Sequence, residues 1–175
     1  MTATCSTVRV ALRTIAGKAM ELEMPLQSSV HALKLRVLEA WSIPAVCQKL
    51  VLGTSVLEDG HSFQELAAGA TELPVLLVVC LEELHRRLDS EQPQVRLASL
   101  RSLLGMARQA STRSSEASVA AVVALLEDPE AEVRQAAVAA LAVVAERGDE
   151  RVLSEVSARL ASRDEPVRQA AVEAL

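Results

Sequence analysis

The nine residues Val133-Arg134-Gln135-Ala136-Ala137-Val138-Ala139-Ala140-Leu141 decide the architecture of the second half of the chain, because they recur. They superpose without gaps on Val95-Arg96-Leu97-Ala98-Ser99-Leu100-Arg101-Ser102-Leu103 and on Val167-Arg168-Gln169-Ala170-Ala171-Val172-Glu173-Ala174-Leu175. The copies start 38 and 34 residues apart, which is the length of a two-helix unit. In the shared pattern Val-Arg-x-Ala-x-x-x-x-Leu, Val and Leu are expected to face a core. The Ala is expected to let two helices approach closely.

Working outward, each copy follows an acidic, Pro-containing turn: Asp89 to Pro93, Glu127-Asp128-Pro129-Glu130, and Arg163-Asp164-Glu165-Pro166. Asp and Ser cap helix starts, and Pro is tolerated in a first turn. Upstream of each turn an Ala-, Leu-, Glu- and Arg-rich stretch with apolar residues three and four apart predicts a helix: Leu81–Leu88, Glu116–Leu126 and Glu150–Leu160. Between the first two units, the segment from Gln109 to Ser118 reads as a solvated polar loop.

This pattern resembles HEAT repeats, of the short type found in bilin-lyase subunits and related scaffolds, over residues 81–175. The repeats fall at about 81–111, 116–147 and 150–175. The resemblance implies an all-α solenoid whose concave face holds another protein. It also implies that Arg96, Arg134 and Arg168 are structural, each reaching an acidic turn residue to tie adjacent repeats together. Stability in such arrays comes from stacking of neighbours between polar caps. The third copy stops on the apolar Leu175 without a cap, which suggests either a truncated repeat or an end covered by another copy.

The first eighty residues carry a different signal. Val8-Arg9-Val10-Ala11-Leu12-Arg13 alternates with a period of two, Ile15-Ala16-Gly17-Lys18 supplies a turn, and Met20, Leu22 and Met24 alternate again: a β-hairpin. Ser28 or Ser29 is placed to cap a helix whose apolar face holds Val30, Leu33, Leu35, Val37 and Leu38 and which ends near Ser42. Pro44 forbids its continuation. Gln48 to Gly53 reads as a strand and turn, Val56 to Gly60 as a strand end with a tight turn, and Leu73 to Val79 as a last strand. Residues 1–7 are expected to form a disordered N-terminus and 8–80 a domain.

Over about seventy residues this order resembles ubiquitin. The resemblance rests on Thr14-Ile15-Ala16-Gly17-Lys18, Ile43-Pro44, Gln48-Lys49-Leu50-Val51 and above all Leu57-Glu58-Asp59-Gly60. It implies a β-grasp fold, so the whole chain is α+β: a ubiquitin-like β-grasp domain followed by an all-α HEAT-repeat solenoid. It also implies an apolar recognition patch at Ile15, Val51 and Leu76, with Pro74 at the position of the neighbouring family histidine. The lysine most used for chain linkage falls at Ser55. The Gly-Gly tail that conjugation needs is replaced by Val78-Val79-Cys80-Leu81-Glu82-Glu83, which runs into a helix, so the domain is expected to be an integral module and not a modifier.

Composition narrows the function. A net charge of −5 and a pI near 5.3 argue against nucleic acid, whose phosphates need a clustered positive surface. All three lysines lie in the first fifty residues, whereas twelve of the fifteen arginines follow residue 81, which places a boundary near residue 80. Cys5, Cys47 and Cys80 form neither a CxxC spacing nor an even disulfide set, and no long apolar run or basic leader is present. No membrane partner and a cytoplasmic or nuclear location are therefore expected.

The histidines His31, His61 and His85 are never followed by Glu, unlike the metal-binding His-Glu pairs of the HEAT-repeat hydroxylase that acts on deoxyhypusine. With no Gly-rich phosphate loop and no nucleophile–base set, neither catalysis nor a cofactor or metal is expected. The sequence thus points to a non-enzymatic adaptor, binding ubiquitin-receptor or proteasome-type partners through one domain and an unknown protein through the other. A lyase-type enzyme subunit and a ubiquitin-like fold that only caps a longer solenoid are the alternatives.

Overall fold

Strand β1 (Thr7–Thr14) buries Val8, Val10 and Leu12 and points Arg9 and Arg13 outward, as its period-two alternation requires. It pairs antiparallel with β2 (Ala19–Pro25), Val10 facing Leu22 and Leu12 facing Met20. Gly17 closes the turn at φ 84°, a left-handed conformation that a side chain would strain. Thr7, expected to lie in a disordered N-terminus, opens β1 opposite Pro25. The computed structural model describes residues 7–109, 116–144 and 150–175, so the rest of that expectation lies outside the described residues.

Helix α1 (Val30–Trp41) buries Val30, Leu33, Val37 and Trp41, spaced along one stripe. Leu35 and Leu38, expected on that stripe, are 44% and 39% exposed, because a helix advances about 100° per residue, which turns Leu38 to the side of the stripe and Leu35 nearly opposite it. Neither serine caps it by side chain. Ser28 Oγ donates to the Pro25 carbonyl, while the N–H groups of Val30 and His31 donate to the carbonyls of His61 and Asp59. The Leu57-Glu58-Asp59-Gly60 turn therefore closes the helix start with backbone. Lys34 adds an ion pair to Asp59 at 2.6 Å, which holds that carboxyl below its ordinary range. The helix ends at Ser42 in a left-handed conformation, ahead of Pro44.

A 3-10 turn (Ala45–Cys47) leads to β3 (Gln48–Leu52) and β4 (Ser55–Val56). The buried Gln48 amide donates to the carbonyls of Lys34 and Ile43, fixing the end of α1 against the sheet. Helix α2 (Phe63–Ala67), which the sequence reading lacked, starts with a capping box between Ser62 and Glu65. Strand β5 (Glu72–Val79) then runs parallel to β1 and antiparallel to β3, giving the sheet order β2-β1-β5-β3-β4. One sheet face packs on α1 in a single core containing Leu12, Leu33, Val37, Leu50, Phe63 and Leu77. This mixed five-stranded sheet is compatible with a β-grasp.

A second unit begins at Leu81. Helix α3 (Glu82–Leu88) packs on α4 (Pro93–Gln109), α5 (Glu116–Ala124) on α6 (Ala131–Val144), and α7 (Glu150–Arg159) on α8 (Glu165–Ala174). The leading helices α3, α5 and α7 touch in succession, as do α4, α6 and α8. Helix α5 tightens into a 3-10 turn at Leu125–Glu127. Of the segment read as a polar loop, Gln109 ends α4 and Glu116 to Ser118 open α5, while residues 110–115 lie outside the described residues.

The Ala of the repeated pattern is buried only in the third copy. Ala98 is exposed, Ala136 half-buried and Ala170 buried. The buried small residue is instead the next one, Ser99, Ala137 and Ala171, because it lies four residues after the pattern's Val on the same helical stripe.

Candidate functional site

On the outer face of the sheet, strand register gathers apolar residues from three strands. Leu76 of β5 stands opposite Val51 of β3, and Val51 opposite Val56 of β4, so the three side chains form one row. Leu76 is 38% and Val56 49% exposed, and Val51 is half-buried. Arg13 of β1 flanks the row beside Leu76, and Pro74, exposed on the same face, pairs with Ala11. Ile15 lies just after β1 and is 78% exposed. Val56 belongs to this row although the sequence reading left it as a strand end. Its signal was the short interval Gly53-Thr54 between β3 and β4, which fixes Val51 opposite Val56.

The second constellation is a row of three arginines. Arg96 Nη1 donates to the carbonyls of Ser90 and Glu91 at 2.7 and 3.0 Å, Arg134 Nη1 to those of Asp128 and Pro129 at 2.7 and 2.9 Å, and Arg168 Nη1 to those of Ser162 and Arg163 at 2.8 and 3.0 Å. Each guanidinium thus ties down the loop before its own helix, satisfying carbonyls that no strand or helix partner takes.

They differ in the remaining edge of the guanidinium. Arg96 gives Nε and Nη2 to the two carboxylate oxygens of Asp128 in the next repeat, at 2.6 and 2.8 Å. Both side chains are buried, and the Asp128 carboxylate raises the Arg96 pKa above the ordinary guanidinium value. Arg168 turns Nη2 to Glu165 of its own helix. Among the described residues the Arg134 Nε and Nη2 have no acceptor. Of these three arginines, Arg96 therefore links adjacent repeats through an acidic turn residue as expected, and Arg134 and Arg168 do not. The cause is one position: Asp128 corresponds to Ser90 and Ser162, whose short hydroxyls accept a backbone N–H two residues on, as Asp128 also does, but reach no neighbouring arginine.

Other polar contacts cross between repeats, among them the exposed pair of Arg151 with Glu116. His85 of α3 and the fully buried Ser118 of α5 are hydrogen-bonded at 3.0 Å, and Arg159 Nε lies 2.9 Å from Glu127. Glu82 and Glu83 occupy the first turn of α3, where Glu83 pairs with Arg86 and Arg87. Among the described residues no cluster of His, Cys, Asp and Glu is placed to hold a metal ion, and no helix is long and apolar enough to cross a membrane.

A family model of HEAT repeats matches residues 80–175. The chain belongs to the HEAT-repeat family. The match spans all three arginine-bearing helices, so the arginine row lies inside the HEAT repeats, which generally mediate protein–protein interaction. No ubiquitin-family match accompanies it, and no curated protein matches the chain.

Proposed function

We propose that this HEAT-repeat protein is an adaptor without chemistry of its own. Its ubiquitin-like β-grasp unit offers the Ile15, Val51, Leu76 surface to ubiquitin-receptor or proteasome-type domains, and its helices form a solenoid that holds a second protein. The observation that carries the reading is the solvent-facing apolar row Leu76–Val51–Val56 with Ile15, on a sheet face that also carries Arg9, Arg13, Glu21, Glu23, Lys49 and Glu72. Apolar side chains grouped on a polar face lower the cost of docking a complementary apolar partner. Joining two modest sites on one chain raises avidity when a complex presents both partners.

The test is an amide NMR titration of the full chain with proteasomal ubiquitin-receptor domains. Saturable shifts at Val51, Val56 and Leu76 that vanish in Val51→Arg, with the fold of Val51→Arg intact, support the reading. Absence of any receptor response, or a Val51→Arg variant that unfolds instead of merely losing binding, refutes it and favours a purely structural β unit.

A further inference from the structure

We infer that the Arg134 guanidinium is a built receptor for a carboxylate side chain of a partner protein, occupying the place that Asp128 takes on Arg96. Arg96 and Arg134 hold Nη1 on the same pair of loop carbonyls, six and five residues upstream. In Arg96 that pose sets Nε and Nη2 as a fork that Asp128 fills bidentately. In Arg134 the same pose is already fixed, so the entropy of ordering a long side chain has been spent within the fold. Its fork lacks a carboxylate only because the next repeat has Ser162 where the preceding one has Asp128.

A pocket adjoins the arginine. Arg134 lines a cavity of about 140 Å³ between α6 and α8, together with Gln135, Val138, Gln169 and Glu173. Gln169 donates to Glu173 at 3.2 Å, so the lining that holds the arginine also holds a carboxylate. A dianionic phosphate would be repelled there. A singly charged carboxylate followed by a basic group meets both: the fork takes the carboxylate, and Glu173 takes the cation. The occupant is thus a peptide segment in which an acidic residue precedes a basic one. This inference rests on the reading of the helices as a protein-binding scaffold.

The experiment follows the arginine Nε–Hε correlations of the ¹⁵N-labelled full chain, with the Arg134 signal assigned by Arg134→Lys. Sodium acetate is titrated against sodium chloride of equal ionic strength, then an acetylated, amidated peptide of repeated Glu-Ala-Ala-Ala-Lys, then the same peptide with Gln for Glu. Acetate and the Glu peptide should shift the Arg134 signal saturably and the Gln peptide should not. Ser162→Asp, which supplies the carboxylate from within, should weaken the peptide about tenfold. An Arg134 signal that follows chloride alone, that responds to acetate but not to the Glu peptide, or that binds the Gln peptide equally well overturns the proposal. None of these outcomes touches the receptor titration of the β unit, so the two readings fail separately.

Discussion

Asp128→Ser is the most informative single change, because the protein already contains its outcome at Ser90 and Ser162. Serine at those positions keeps the turn hydrogen bond to the backbone N–H two residues on, so the substitution removes only the carboxylate that Arg96 grips. The Arg96 and Asp128 side chains are 9% and 3% exposed, so solvent neither screens the pair nor replaces it. Breaking a buried pair costs roughly 3–5 kcal/mol, since an uncompensated charge is left behind. Arg96 retains its two carbonyl bonds through Nη1, which places the expected loss near the lower end, at about 3 kcal/mol. In urea, with a slope of roughly 2 kcal/mol per molar, the midpoint of the helical unit followed at 222 nm should fall by about 1.5 M. Arg96→Met combined with Asp128→Leu should recover only part of that loss, because it leaves no charge unpaired but frees the Ser90 and Glu91 carbonyls and the Glu130 N–H. A fall of less than about 0.5 M at unchanged slope would refute the account.

Ser162→Asp should do the opposite, raising helical-unit stability by about 1 kcal/mol in the same assay as it fills the Arg134 fork. Leu33→Ala, at a fully buried position on α1, should cost about 3 kcal/mol and appear as an earlier thermal transition of the β unit. Asp59, held below its ordinary pKa chiefly by its bond to Lys34, stabilises the fold above the ordinary carboxylate range, and this contribution is lost as pH falls through its depressed folded value. Asp59→Asn should therefore cost roughly 0.5 kcal/mol at pH 7 and leave a shallower loss of stability below about pH 4, read by denaturation at each pH.

Much of the local structure was legible in the residues. Val8, Val10 and Leu12 alternate as a strand must, Gly17 marks the hairpin turn, and Pro44 follows the end of α1. The triple Val-Arg pattern announced paired helices, and the positions of Ile15, Val51 and Leu76 could be named in advance. What was misplaced had a common cause: apolarity alone does not say which side of an element is covered. Leu35 and Leu38 are as apolar as Leu33 but stand off the stripe that meets the sheet, and Ala98 yields to Ser99 for the same reason. Val56 entered the exposed row only through the β3–β4 register, which brings together residues that the sequence separates by a turn.

The arginines mark the division most clearly. Repetition and capping chemistry are local, so the residues alone place Arg96, Arg134 and Arg168 at one helical position after an acidic turn. What each arginine holds depends on packing, because the free edge of a guanidinium takes whatever the neighbouring turn or its own helix presents. That is Asp128 for Arg96, the Ser162 turn with no carboxylate for Arg134, and Glu165 of its own helix for Arg168.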